Sequence, residues 1–487
     1  MEIYITSEGD SYAAIADSVG VDEGYLRSVN GAASGEPALG QAVVIIRPER
    51  TVTVGDGETL YGIASANGMT LPAIYRLNPA LGGRTEIYPG QVIVLSVQGE
   101  RRGQLETNGY TYTNVDEALL RSVLPYMSYL TIFTYGFTPE GELLEPQNEE
   151  RLLGLCREYG TAPIMMISTL TSEGSFSNQL SNALFTSPEA TGTLISRLIA
   201  RAEELGYYGI DVDFEYVFAT DTDAFAAFVS ALTEAANARG IRVWIALAPK
   251  SYAEQPGLLY EAHNYSELGA AANYSTLMTY EWGYRYGPPM AVAPLDKVRV
   301  VVEYALTEMP AEKIFMGVPC YGYDWSLPYV RGVSAAPSLG CEEACALARE
   351  VGAAIRYDRV SQAPYFRYKA SDIEHEVWFG DARSAQASYA LAAELGLRGM
   401  AYWDLMRPYT VAWTVAASEY DIIRPLETIP VSSGNAADAA DAVDAVDAVD
   451  AVDAVDAMDA VDAMDAMNTA DTENAGDMPG GRSASML

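Results

Sequence analysis

The sequence predicts an α/β protein. Its centre reads as a (β/α)8 (TIM) barrel with a small α+β insertion after the seventh strand. Two small βααβ modules precede the barrel and a disordered acidic tail follows it. Three observations carry this reading: a duplicated motif near the N-terminus, eight apolar runs alternating with amphipathic helical patterns, and a strict Asp repeat at the end.

The 487 residues suggest about two to four domains at roughly 150 residues each. Hydrophobic residues make up 49% and aromatics 10%, enough for a substantial core. The formal charge of -36 argues against nucleic acid or an anionic membrane as partner, because both require a basic patch to displace counterions. No run of 18 apolar residues is present, so no membrane span is expected. The opening MEIYITSEGD lacks a basic and then apolar leader, so the protein is expected to be made and first kept inside a cell.

The N-terminal repeat comes first in the chain. EGDSYAAIADSVGV (8–21) matches DGETLYGIASANGM (56–69), and Asn30 matches Asn78 at the same offset. After a two-residue insertion, Gly40-Gln41 matches Gly90-Gln91. Each unit reads as an extended start, two short amphipathic helices and a closing apolar strand. The acidic-then-hydroxyl pair before each first helix is an N-cap signal. The Asn closes the second helix, where a left-handed residue is favoured. The units span 1–48 and 51–96.

The barrel strands are 108–113, 129–137, 163–169, 209–217, 242–248, 274–280, 314–319 and 399–404. Intervening helical patterns such as 189–206 and 223–240 end in Gly, a common helix stop. Near-continuous apolar strands between helices indicate a parallel sheet, and eight such units spanning 104–427 indicate a closed barrel. Its chemistry is expected at the C-terminal ends of the strands.

The fourth strand, GIDVDFEYV, is the most informative. Asp211, Asp213 and Glu215 alternate with apolar residues, so all three are expected to face the barrel mouth. Burying three carboxylates together is costly and raises at least one pKa, which suits a general acid.

Between strands seven and eight the chain runs 321–397, longer than one helix needs. It includes the strand-like YFRYK and EHEVWFGD. We read a small α+β insertion forming one wall of a groove. Trp282, Tyr284, Tyr286, Tyr321, Tyr323 and Trp325 cluster at strand ends. Each serves either as a stacking platform or as packing around the insertion.

Four Cys (Cys156, Cys320, Cys341, Cys345) are too few for a disulfide scaffold. Cys341 and Cys345 lie one helical turn apart and read as a redox pair or half a metal site. A zinc site needs more ligands, and His263 and His375 are in unrelated segments, so neither metal nor cofactor is expected.

Residues 433–487 hold 12 Asp, 1 Glu and 1 Arg, a net -12. Ten Asp from Asp438 to Asp465 recur at period three. A helix then carries Asp on every face and a strand has no consistent side, so a solvated, disordered tail is expected.

Two resemblances sharpen the reading. The duplicated G-[DE]-[ST], I-A, N, G-Q pattern resembles tandem LysM modules. This implies βααβ folds that bind N-acetylglucosamine-containing glycans such as peptidoglycan or chitin. The barrel resembles glycoside hydrolase family 18, the chitinase-like family. Its D-x-x-D-x-D-x-E signature reads Tyr208-Gly-Ile-Asp211-Val-Asp213-Phe-Glu215 here. The first Asp is replaced by Tyr208, which is expected to alter pKa tuning of the inner acids. LMTYEWG (277–283) resembles the family's M-x-Y-[DN] motif, with Glu281 in place of Asp. Trp403 in GMAYW matches the tryptophan flooring the -1 subsite.

The resemblance implies a retaining, substrate-assisted mechanism without cofactor or metal. Glu215 is the implied acid, Asp213 orients the substrate acetamido group, Asp211 tunes Asp213, and Tyr280 holds the acetamido carbonyl. Trp403, Tyr280, Glu281 and Trp282 are the implied substrate contacts. LysM modules joined to such a barrel resemble the spore germination enzymes of endospore-forming bacteria, including the cortex-fragment-lytic type. That implies spore cortex peptidoglycan as substrate, cut after N-acetylglucosamine. It also implies synthesis in the mother-cell cytoplasm without a signal peptide, and then spore association. The protein is expected to act as a monomer. Chitin hydrolysis and non-catalytic glycan binding in the spore coat are the alternatives.

Overall fold

The computed structural model describes residues 1–32, 35–171 and 176–426. The expected disordered tail lies outside the described residues.

Eight parallel strands form the barrel. They are β1 (Gln104–Tyr112), β2 (Tyr129–Phe137), β3 (Ala162–Ser168), β4 (Gly209–Asp213), β5 (Arg242–Leu247), β6 (Tyr274–Leu277), β7 (Ile314–Pro319) and β8 (Gly399–Trp403). Each pairs with its neighbour in sequence, and β8 pairs with β1 to close the sheet. Burial on both faces explains the continuous apolar runs: all seven residues of β3 are buried. The helix Pro188–Leu205 ends at Gly206, whose φ of 76° is the left-handed stop its sequence implied. At the start of β4, a Cβ on Gly209 would lie 2.4 Å from Trp244, so only glycine fits there.

The N-terminal end of the barrel is plugged by aromatic rings. Trp244 stands 5.2 Å from Tyr129, 4.6 Å from Tyr274 and 6.3 Å from Tyr208, centroid to centroid. Tyr208, at the first signature position, therefore belongs to this plug. Its electrostatic neighbours are Tyr274, Arg242, Glu106 and Arg398, not the acids of β4. An aromatic ring at this position, in place of the signature's first Asp, fills the barrel floor.

Between β7 and β8 a five-stranded antiparallel sheet is inserted, with Tyr321–Leu327 and Ile373–Trp378 at its centre. Its covering helix is Cys341–Glu350. Phe366, Val377 and Phe379 of the sheet side pack with Ala344 and Ala348 of that helix.

The two N-terminal repeats have the same βααβ order. Ser11 Oγ accepts from Ala14 N and Thr59 Oγ1 accepts from Gly62 N, as the cap signal implied. The Asn residues differ from expectation. Asn30 (φ -110°) and Asn78 (φ -134°) are not left-handed. Instead their side chains are buried staples. Asn78 Nδ2 donates to Ile74 O and Val94 O, while Oδ1 accepts from Val94 N at 2.8 Å. Asn30 does the same with Leu26 O, Val44 O and Val44 N. The repeated Asn thus ties helix to closing strand, and only an amide can both donate and accept in this way.

The repeats pack directly on the barrel. Thr414 Oγ1, in the last barrel helix (Thr410–Glu419), donates to Val29 O at 2.9 Å. Tyr159 OH donates to Gly83 O and Arg76 to Pro125 O. Ile74 and Tyr75 of the second repeat share one apolar core with Leu124, Tyr126 and Trp413.

Candidate active site

The β4 strand ends at Asp213, so Glu215 stands two residues beyond it in a turn, not within a strand as expected. Tyr216 follows with φ 57°, a left-handed conformation uncommon outside glycine. The three acids nevertheless converge. Asp213 and Glu215 line one cavity at the C-terminal end of the barrel, and Asp211 lies beneath them, fully buried. β6 likewise stops at Leu277, which places Tyr280 and Glu281 in the loop beyond it.

The cavity is completed by Tyr110, Tyr112, Phe133, Met278, Tyr280, Tyr321 and Trp403. Tyr110 OH donates to Asp211 Oδ2 at 2.7 Å and lies 3.0 Å from Thr276 Oγ1. Asp211 Oδ1, Asp213 Oδ1 and Glu215 Oε2 have no hydrogen-bond partner among the described residues. Burial therefore dominates their titration. Desolvation pushes the Asp211 carboxyl up to about 7, partly opposed by the Tyr110 hydroxyl. Asp213 is raised by burial and then by the charge of Asp211. Glu215 is raised well above the usual carboxylate range by burial and then by Asp213. A carboxyl whose proton is favoured by burial, as at Glu215, suits protonation of a leaving oxygen.

Of the predicted substrate contacts, Tyr280 and Trp403 face the acids in this cavity. Glu281 (φ 65°) lies on its rim and accepts hydrogen bonds from Tyr321 and Tyr323 of the insertion. The longer side chain thus spans from the β6 loop to the insertion sheet. Trp282 lies outside, in a second, broader cavity of about 430 Å³ that shares Glu215, Met278, Tyr280 and Glu281 with the first. Tyr284 joins Trp282 there, whereas Tyr323 and Trp325 are buried packing. Tyr110, Tyr112, Phe133 and Met278 were not singled out from sequence. Period-two alternation along NGYTYT would have put Tyr110 and Tyr112 on one inward face.

All four Cys are free thiols, and burial pushes Cys341 up to about 12. Among the described residues no group of three or more His, Cys, Asp or Glu is placed to hold a metal ion. No described helix is long and apolar enough to cross a membrane.

The model for glycosyl hydrolases family 18 matches residues 110–407. The chain belongs to glycosyl hydrolases family 18. It is a glycosidase, and two LysM domains match at 4–45 and 52–96. The cortical fragment-lytic enzyme of Bacillus subtilis (strain 168) is 37% identical over 326 residues, 67% of this chain and 75% of that protein. The crystal structure of the Bacillus megaterium QM B1551 spore cortex-lytic enzyme SleL matches with a TM-score of 0.72 at 32% identity. It covers 87% of this chain and 98% of that one. A chitinase from Chromobacterium violaceum matches at 25% identity and a TM-score of 0.60, covering 64% of this chain and 98% of that one. The family 18 glycosidase described here thus has its acids, its aromatic floor and its LysM repeats in one packed body.

Proposed function

We propose that this glycosidase hydrolyses spore cortex peptidoglycan after N-acetylglucosamine by a retaining, substrate-assisted route. The observation that carries the reaction is the buried triad of Asp211, Asp213 and Glu215 beside Tyr280 and Trp403. The likeness to cortex-lytic enzymes supports the substrate.

The N-acetyl sugar lies on the Trp403 face, where an apolar sugar face suits an indole. Glu215 donates its proton to the glycosidic oxygen, and that bond breaks. The acetamido carbonyl oxygen attacks the anomeric carbon from the other side, giving a bicyclic oxazolinium ion. Asp213 accepts from the acetamido N–H and offsets the positive charge, while Tyr280 hydrogen-bonds the carbonyl oxygen. Glu215, now ionised, removes a proton from water as it attacks the same carbon. The acetamido group is restored and the anomeric configuration is retained. This route needs no carboxylate nucleophile, an exception to the two-carboxylate scheme.

The chain divides in this reading into LysM modules at 1–48 and 51–96, a catalytic barrel at 104–427 and a tail at 433–487. The LysM modules hold neutral N-acetyl sugars, which lets an anionic protein dock on an anionic polymer. The enzyme is made in the mother cell and resides on the spore.

Release of reducing ends from cortex fragments tests this. Glu215→Gln should fall by about 10²–10⁴, the range of general acid catalysis. Equal release by variant and wild type would overturn it.

A further inference from the structure

The two N-terminal repeats are alike in fold and unlike in what surrounds them. The glutamine near the end of each marks equivalent positions. Gln41 Oε1 accepts from Ala38 N at 2.9 Å, and Gln91 Oε1 accepts from Tyr88 N at 3.2 Å. Ala38 is 2% exposed and belongs to the apolar core of the insertion, among Leu339, Ala344, Ala348, Ile355 and Phe366. Tyr88 is 66% exposed. The second residue after the first helix cap differs in the same sense. Ala13 stands there after Ser11, and Tyr61, 51% exposed, stands there after Thr59.

The loop that carries Ala38 is seated on the insertion. Ile355 N donates to Leu39 O at 2.8 Å, and Arg349 Nη1 donates to Glu36 O at 3.3 Å. A Cβ on Gly40 would lie 2.1 Å from Ile355 O, whereas one on Gly90 would meet nothing within 4 Å among the described residues. In the second repeat, Val54 N donates to Gln91 O and Gly90 N donates to Val54 O, each at 2.8 Å. Those bonds hold the loop bearing Tyr88 beside the segment that leads into the helix of Tyr61, Leu60–Ala66. Two neutral rings are thereby held on adjacent loops of a chain whose net charge is -36. Exposed aromatic faces of this kind suit the apolar face of a neutral sugar. The insertion that takes up the first repeat also carries Tyr321 and Tyr323, which hold Glu281 at the rim of the catalytic cavity.

We propose that the two repeats have divided roles. The second binds the N-acetyl sugars of the insoluble polymer through Tyr61 and Tyr88. The first is a brace for the insertion, with its equivalent loop buried against that wall of the groove. The inference rests on the proposed holding of N-acetyl sugars by the LysM modules and narrows it to one of the two.

The test measures retention of the full-length protein on insoluble, peptide-stripped peptidoglycan and on insoluble chitin. Every form carries Glu215→Gln so that the polymer survives the assay. Tyr61→Ala and Tyr88→Ala should each weaken binding about fivefold, and the pair about twentyfold, with an unmoved melting temperature. Ala13→Gln, a bulkier neutral side chain where Tyr61 stands in the other repeat, should leave binding unchanged. Ala38→Val, which overfills the insertion core, should also leave binding unchanged but lower the melting temperature by about 2–5 °C. Wild-type retention by the Tyr61 and Tyr88 pair, or equal losses from Ala13→Gln and Tyr61→Ala, would overturn the division. An unmoved melting temperature in Ala38→Val would overturn the brace. A wild-type dimer that Tyr88→Ala dissociates would assign the exposed face to a second copy of the chain instead. Wild type that binds neither polymer would overturn the glycan reading of the repeats itself.

Discussion

The Tyr110 hydroxyl donates to Asp211 Oδ2 at 2.7 Å, joining β1 to β4 across the mouth of the barrel. Among the described residues it is the interaction that lowers the Asp211 pKa against burial. Without it, Asp211 holds its proton to higher pH, and the Asp211–Asp213 pair ionises later. In Tyr110→Phe the acidic limb of the kcat/KM profile should therefore move up, with kcat reduced about tenfold for the loss of one hydrogen bond to a charged group. An unmoved limb would show that the pair does not titrate in the working range.

The same acid links stability to pH. The Asp211 carboxyl is raised to about 7 when folded, against roughly 3.9 unfolded. A raised carboxyl leaves stability intact below about pH 4 and loses it as pH climbs through 7. The cost reaches at most about 4 kcal/mol at 1.36 kcal/mol per pKa unit. Asp211→Asn removes that loss and keeps an acceptor for Tyr110. Its melting-temperature advantage should grow between pH 4 and 7 and then flatten. An advantage independent of pH would place the effect in packing instead.

Tyr208 sits in the aromatic floor, away from the acids. Tyr208→Asp should lower stability by about 1–3 kcal/mol, as burial of an ill-matched polar group does, and bring a second carboxylate toward Glu106. The pH profile of activity should not move. A shifted profile with unchanged melting would show that this position does tune the inner acids.

Glu281 anchors the insertion through Tyr321 and Tyr323. Replacing both tyrosines with Phe should loosen that wall of the groove. KM should rise several-fold with kcat changing less, since the acids themselves are untouched. A loss confined to kcat would place these tyrosines in the chemical step.

Deleting residues 1–96 removes more than glycan binding. The last barrel helix and Tyr126 pack on the repeats, and Trp413 is 3% exposed in the intact chain. The truncated chain should lose several kcal/mol, at about 1.5–3 kcal/mol for each large side chain uncovered. Thermal unfolding checks this. Point changes at the exposed Tyr61 and Tyr88 of the second repeat leave the barrel contacts intact. They should weaken binding to insoluble glycan without moving the melting temperature.

The barrel was legible in the sequence because parallel strands buried on both faces are apolar along their length. Asp211, Asp213 and Glu215 stood out because charge interrupts that pattern. Three features were hidden. The end of β4 at Asp213 was masked because alternation continues by chance through Phe214 and Glu215 into the turn. The Asn30 and Asn78 staples depend on strands that arrive 14 and 16 residues later, so a local rule favoured the wrong conformation. The distinct places of Tyr208 and Tyr110 came from which end of the barrel each faces. A motif position says nothing of that, whereas strand register does.

The central claim is that the substrate's own acetamido oxygen is the nucleophile. It is tested most directly with two matched tetrasaccharides that differ only at the sugar lying on Trp403, one N-acetylated and one bearing a free amine. The account predicts cleavage of the first and none of the second, while the second still competes for binding. Comparable cleavage of both would contradict it.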